Sequence, residues 1–135
     1  MNYKSIKFNL FKDNDPYGLL NIFDMNKVPF NVKRIFTVTS NSNLERGYHA
    51  HKKCQQLVSC LKGKINLILD DGNERELITL FPDGKAILIP NGVWAEQIYI
   101  EDASIIITFC DQSYDEDDYI RNYKEYKDFL NKWKF

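Results

Sequence analysis

The feature that most constrains this chain is a rhythm of short β-type runs divided by tight turns. The runs cover residues 32–39, 56–61, 64–69, 76–80, 86–89, 96–100 and 104–110. Between them stand Lys62-Gly63, Asp70-Asp71-Gly72-Asn73, Pro82-Asp83-Gly84, Pro90-Asn91-Gly92 and Glu101-Asp102. A strand about every ten residues, punctuated in this way, predicts a β-sandwich or small barrel. Asp71-Gly72 is the clearest hairpin turn. Residues 19–23 are expected to add a strand, and 6–10 an N-terminal one that pairs with a partner subunit's sheet. From Asp115 onward the pattern changes: Tyr119, Ile120, Tyr123, Tyr126, Phe129, Leu130 and Trp133 recur at three- and four-residue steps, which predicts one amphipathic helix or two short ones.

With 135 residues and no linker, repeat or low-complexity stretch, the chain reads as one domain spanning 1–135. Eighteen Lys and Arg nearly balance nineteen Asp and Glu, so no basic field gathers nucleic acid or an anionic membrane. Cys54, Cys60 and Cys110 are odd in number and lack CxxC spacing, which fits a reducing, cytoplasmic setting better than a disulfide framework. The first residues carry scattered charges rather than an apolar run, so neither a signal peptide nor a membrane span is expected.

The only two histidines lie at i and i+2 in Gly47-Tyr48-His49-Ala50-His51. On an extended strand both imidazoles point to one face, with Tyr48 and Ala50 on the other. An HxH followed by a distant PxGxxH resembles the ligand pattern of metal-binding cupins. Here, however, Pro90-Asn91-Gly92-Val93-Trp94 leads to Ala95 where a third histidine would stand, and Gln55 and Gln56 occupy the neighbourhood of the acidic ligand. Two imidazoles and an amide are a poor shell for a divalent ion. Freed from metal, imidazoles of ordinary pKa about 6.5 suit proton transfer next to a carbonyl.

Arg46-Gly47-Tyr48-His49-Ala50-His51-Lys52, Gln56, Gly63, Leu69-Asp70-Asp71-Gly72, Val93-Trp94 with Glu96, and Tyr114-Asp115-Glu116-x-Asp118-Tyr119-Ile120-Arg121 resemble the dTDP-4-keto-6-deoxyglucose 3,4-ketoisomerases, relatives of the dTDP-rhamnose-pathway epimerases. The resemblance covers roughly residues 32–129. It implies an all-β cupin fold, a double-stranded β-helix or jelly-roll barrel, with a short C-terminal helical segment. It further implies conversion of a dTDP-linked 4-keto-6-deoxy sugar to its 3-keto isomer through an enediol, for 3-amino-3,6-dideoxy sugars of bacterial surface glycans such as O-antigen. No cofactor and no metal are implied, and a homodimer is. By the same resemblance His51 is the catalytic base and His49 a second proton carrier.

Substrate-binding expectations follow. Arg46 suits a pyrophosphate because its guanidinium is forked, and Arg34 and Arg121 are further candidates. Trp94 either stacks on thymine or fills the core. The Gln56 amide either binds a sugar hydroxyl or satisfies backbone groups. Tyr17 either contacts the sugar or packs on the sheet as a turn residue. Tyr17, Thr37 and Ala95 depart from the residues expected beside the sugar, which leaves the gluco or galacto outcome at C4 open. The acidic run Asp115 to Asp118 reads as a helix start rather than a metal site. A metal-dependent cupin enzyme and a non-catalytic sugar-nucleotide-binding cupin are the competing classes.

Overall fold

A computed structural model describes residues 3–12 and 19–133. In chain order its strands are β1 (Lys4–Lys7), β2 (Asn9–Lys12), β3 (Leu19–Ile22), β4 (Arg34–Ser40), β5 (Glu45–His51), β6 (Gln56–Lys62), β7 (Ile65–Asp70), β8 (Arg75–Leu80), β9 (Lys85–Ile89), β10 (Trp94–Tyr99), β11 (Ser104–Cys110) and β12 (Tyr119–Ile120). Helix α1 (Tyr123–Trp133) follows. One five-stranded sheet has the order β1-β9-β6-β11-β4 and the other β12-β5-β10-β7-β8, with β2 and β3 forming a separate hairpin. Every pairing is antiparallel.

The period of two in each strand decides what lies between the sheets. Val58, Cys60, Ile87, Ile89 and Ile106 of the first sheet meet Leu67, Leu69, Ala95 and Tyr99 of the second in one buried cluster. The alternate residues of the first sheet are also buried, because Phe8, Phe23, Val28 and Phe30 cover Leu57, Leu88 and Phe109 on its outer face. The Phe8 and Phe23 rings meet edge to face at 5.1 Å. This second layer explains why β6 is buried on successive residues rather than on alternate ones. On the second sheet, α1 packs Tyr126, Phe129 and Leu130 over Ala50, Trp94 and Ile120.

The hairpin expected at Asp71-Gly72 joins β7 to β8. Asp70 Oδ1 accepts from Gly72 N at 2.7 Å, and Asp71 Oδ1 from Asn73 N and Glu74 N at 2.9 and 2.8 Å. The N-terminal expectation is corrected: residues 6–10 are not one strand, and Lys4–Lys7 pairs with β9 of its own chain. The C-terminal expectation is also refined. Asp115 caps a single 3-10 turn, Glu116–Asp118, and the chain then runs extended through β12 before α1 begins.

Candidate active site

The site is built where β5 meets β10 and β12. Between β10 and β5, Ala95 pairs with His49 but Glu96 pairs with Gly47, so Tyr48 is an inserted residue. Such a bulge re-aims the strand. Gly47 (φ +87) and Tyr48 (φ 55) both take left-handed backbone. A Cβ at residue 47 would also lie 2.9 Å from the Ala95 carbonyl oxygen, so glycine is required there. Beyond the bulge the expected alternation holds: the His49 and His51 rings share a face at 4.9 Å, edge to face at 88°, and Ala50 packs on the opposite side.

Strand β12 closes over the pair. Tyr119 pairs with His51, and its ring lies 4.4 Å from the His51 ring and 5.1 Å from that of His49. Just before it, Asp118 Oδ2 lies 2.8 Å from His51 Nδ1. Asp118 also accepts from Lys53 N at 2.7 Å and from Cys54 N at 3.3 Å. Burial opposes ionisation of this carboxyl, but the bonds from His51 and the two amides hold it below its ordinary value. An ionised carboxylate only accepts, so Nδ1 of His51 carries the proton and Nε2 is the basic atom. His51 Nε2 and His49 Nδ1 are both buried with no hydrogen-bond partner.

His49 looks into a cavity of about 460 Å³. Its walls are Arg34, Phe36 and Val38 from β4, Arg46 and Gly47 from β5, Gln56 from β6, Gln97 from β10, and Tyr114, Tyr119 and Arg121 from the C-terminal segment. Three of these are arginines and none is an acid, so the cavity is cationic although the whole chain is formally −1. Burial is the main reason that the His49 pKa is lowered to about 4, with the neighbouring His51, Arg121 and Arg34 adding to it. Burial likewise lowers His51, against the upward pull of Asp118. Both rings are therefore neutral at pH 7.

Of the residues expected to bind substrate, Arg34, Arg46, Gln56 and Arg121 all reach this cavity. Arg34 Nη2 rests on Cys110 Sγ at 3.6 Å, with the guanidinium 5.7 Å from the Phe36 and Tyr114 ring centroids. Gln56 Nε2 reaches the same sulfur at 3.7 Å. Arg121 pairs with Glu116 at 2.7 Å and lies 4.2 Å over Tyr119. Trp94 is corrected: it is 2 % exposed, faces away from the cavity into the contact with α1, and donates Nε1 to Glu96 Oε2 at 2.8 Å. The reason is register, because Ala95 and Gln97 point inward and so Trp94 and Glu96 point outward. Thr37 is likewise on the exposed outer face of β4 rather than beside the histidines. Ala95 does face inward, opposite His49. Tyr17 lies outside the described residues.

Sequence reasoning missed Asp118, Tyr114, Tyr119 and Gln97. The first three stand within the Tyr114-to-Arg121 segment that carried the family resemblance, yet only Arg121 was singled out from it. Among the described residues, the cluster of metal-capable groups is His51, Cys54 and Asp118, whose ligating atoms lie within 4.8 Å of one another. It leaves out His49, and its members already bond to each other and to backbone amides. The hydrogen bond to Cys110, followed by burial, pushes the Cys54 thiol up, away from the thiolate a metal would need.

Fold and cavity together define a cupin-type barrel in which His49 lines a cationic pocket and the carboxylate-bonded His51 lies buried beside it. A family model described as FdtA, WxcM-like, C-terminal, matches residues 1–131, and the chain belongs to that family. It is 36% identical over 120 residues to a TDP-4-oxo-6-deoxy-alpha-D-glucose-3,4-oxoisomerase from Aneurinibacillus thermoaerophilus, covering 87% of this chain and 86% of the relative. Among solved structures it is similar to QdtA, a sugar 3,4-ketoisomerase from Thermoanaerobacterium thermosaccharolyticum in complex with TDP. That match has a TM-score of 0.89 and 32% identity, over 99% of this chain and 98% of the other. A histidine-to-asparagine variant of the same enzyme, in complex with TDP-4-keto-6-deoxyglucose, matches with a TM-score of 0.88 and 32% identity, over 97% and 95% of the two chains. The protein is an isomerase.

Proposed function

We propose that this chain converts dTDP-4-keto-6-deoxyglucose to the dTDP-3-keto-6-deoxyhexose through an enediol, by acid-base chemistry of its own side chains. The observation that carries this reading is the His51–Asp118 dyad with His49 beside it at an arginine-lined cavity. The known relatives act on or bind TDP-linked sugars of this kind. In this reading the C3 proton passes to the neutral Nε2 of His51, with the Nδ1–H held on Asp118 so that the resulting imidazolium is stabilised. The electron pair left at C3 forms the C3–C4 double bond while the C4 carbonyl oxygen becomes an enediol oxygen. Arg34, which with Arg121 already depresses both histidines electrostatically, stabilises negative charge on that oxygen by the same field. Return of a proton to C4, with loss of the C3 hydroxyl proton, gives the 3-ketone, and His49 is the second carrier.

Arg46 and Arg121 hold the pyrophosphate, and Gln56 and Gln97 the sugar hydroxyls, from their places on the cavity wall. The setting is a cytoplasmic homodimer that supplies 3-keto sugars for amination in surface-glycan synthesis, O-antigen included. No helix among the described residues is long and apolar enough to cross a membrane. The test is NMR of the sugar nucleotide incubated with native enzyme and with His51→Asn. Native enzyme should yield the 3-keto product, whereas His51→Asn should bind dTDP normally and yield none. Near-normal turnover by His51→Asn would sink the assignment.

A further inference from the structure

The mechanism uses Arg34 and Gln56 but not the group that holds them. Arg34 pairs with Cys110 across β4 and β11, and Cys110 pairs with Gln56 across β11 and β6. The three residues thus form one cross-strand row, and by the period of two their side chains share the inner face. Both outer members of the row line the cavity. Cys110, in the middle, is 0% exposed and touches no solvent. Arg34 Nη2 and Gln56 Nε2 converge on its sulfur at 3.6 and 3.7 Å.

We propose that Cys110 is a positioning residue for the isomerisation, its sulfur anchoring the Arg34 guanidinium and the Gln56 carboxamide against the cavity wall. This rests on the function proposed above. Long polar side chains at a cavity edge lose rotamer freedom only if something fixes them, and a shared acceptor between neighbouring strands fixes two at once. Two donors face the sulfur. Arg34 reaches it from β4 and Gln56 from β6, while Cys54, in the loop before β6, acts on it electrostatically and has its own S–H on the Gln55 carbonyl oxygen at 3.3 Å. The nearest acid, Asp111, acts on Cys54, and its carboxylate accepts from Gln55 N at 2.8 Å. Such a donor set favours thiolate over thiol. Cys54 first, then Arg34 and Gln56, lower the Cys110 pKa against the effect of burial, while Cys54 and Cys60 are pushed up. Arg34 and Gln56 thus share one buried sulfur acceptor.

The experiment combines an ultraviolet thiolate titration with affinities for dTDP and for the dTDP-linked 4-keto sugar and with steady-state kinetics, on native enzyme, Cys110→Ala, Cys110→Ser, and Arg34→Met with and without Cys110→Ala. Native enzyme should show one thiol ionising below the ordinary cysteine value, and Cys110→Ala should lack it. Loss of the shared anchor should lower kcat/KM for the 4-keto sugar nucleotide roughly tenfold, through kcat because Arg34 serves the C4 oxygen and through KM because Gln56 serves the sugar hydroxyls, while dTDP affinity stays within about twofold. Cys110→Ser, which still accepts from both donors, should recover part of the loss, a rescue that a mere packing defect would not show. Arg34→Met should cost under about twofold more once Cys110 is alanine, because neighbours in one network are non-additive. The proposal is overturned if Cys110→Ala keeps native kcat/KM, or if Arg34→Met retains its full cost in that background. If the enzyme failed to isomerise the sugar, the function would fall, while the affinities of native enzyme and Cys110→Ala for the dTDP-linked 4-keto sugar would still decide the role of Cys110.

Discussion

Replacing Asp118 with asparagine changes one atom and should reverse the chemistry of His51. The carboxylate accepts from His51 Nδ1 at 2.8 Å and from the Lys53 and Cys54 amides at 2.7 and 3.3 Å. An asparagine can keep its oxygen on Lys53 N, which turns its NH2 toward His51. That amide then donates to Nδ1, so the ring proton moves to Nε2 and the basic atom of the ring is lost. A hydrogen bond to a charged group is worth about 1.5–3 kcal/mol, or roughly ten- to a hundredfold in rate. Loss of a general base costs about 10²–10⁴-fold. Asp118→Asn should therefore lower kcat at least about a hundredfold. The dTDP affinity should stay within about twofold, because Asp118 lies behind the histidines and is not part of the cavity wall. Product formation followed by NMR gives kcat, calorimetric titration gives the dTDP affinity, and nitrogen chemical shifts of the His51 ring report its tautomer. A kcat within about threefold of native would refute the dyad, as would an unchanged tautomer.

Trp94→Phe should lower stability by about 1–2 kcal/mol in urea denaturation, through the lost bond to Glu96 and imperfect filling against Tyr126. It should leave KM unchanged, and a rise in KM would return Trp94 to the site. Gly47→Ala forces a Cβ to 2.9 Å from a backbone oxygen at φ +87. It should cost about 1–3 kcal/mol and reduce kcat by moving His49, so a variant with native melting and turnover would contradict the role of the bulge. Acidification should weaken the fold: with the His49 pKa at about 4 when folded and about 6.5 when unfolded, the unfolded state binds more protons between those values. Stability should fall as pH drops through that window, by on the order of 2–3 kcal/mol from this ring. Denaturant midpoints at both ends measure it, and His49→Asn should flatten the slope.

The barrel was legible because short β-type runs recur about every ten residues between turns marked by Gly and Asx residues. The His49–His51 pair was legible because a period of two places both rings on one face. The residues that escaped did so for local reasons. The bulge at Tyr48 inserts a residue that no composition rule announces, and it shifts the register so that His49 meets Ala95 while Gly47 meets Glu96. Asp118 sits in an acidic run that resembles a helix start, and Asp115 does cap a turn there. The partnership of Asp118 with His51 depends on a two-residue strand, Tyr119–Ile120, too short to show in any pattern. The cross-strand row through Cys110 requires the pairing of three strands whose order in the sheet is not their order in the chain.

The central claim is that a metal-free histidine pair moves a proton between C3 and C4 of a nucleotide-linked 4-keto sugar. Its most direct test is NMR of dTDP-4-keto-6-deoxyglucose incubated with the enzyme in heavy water after treatment with a chelator. The account predicts a 3-keto product carrying deuterium at C4. Loss of activity on chelation, or an unchanged sugar with no deuterium at C3 or C4, would contradict it.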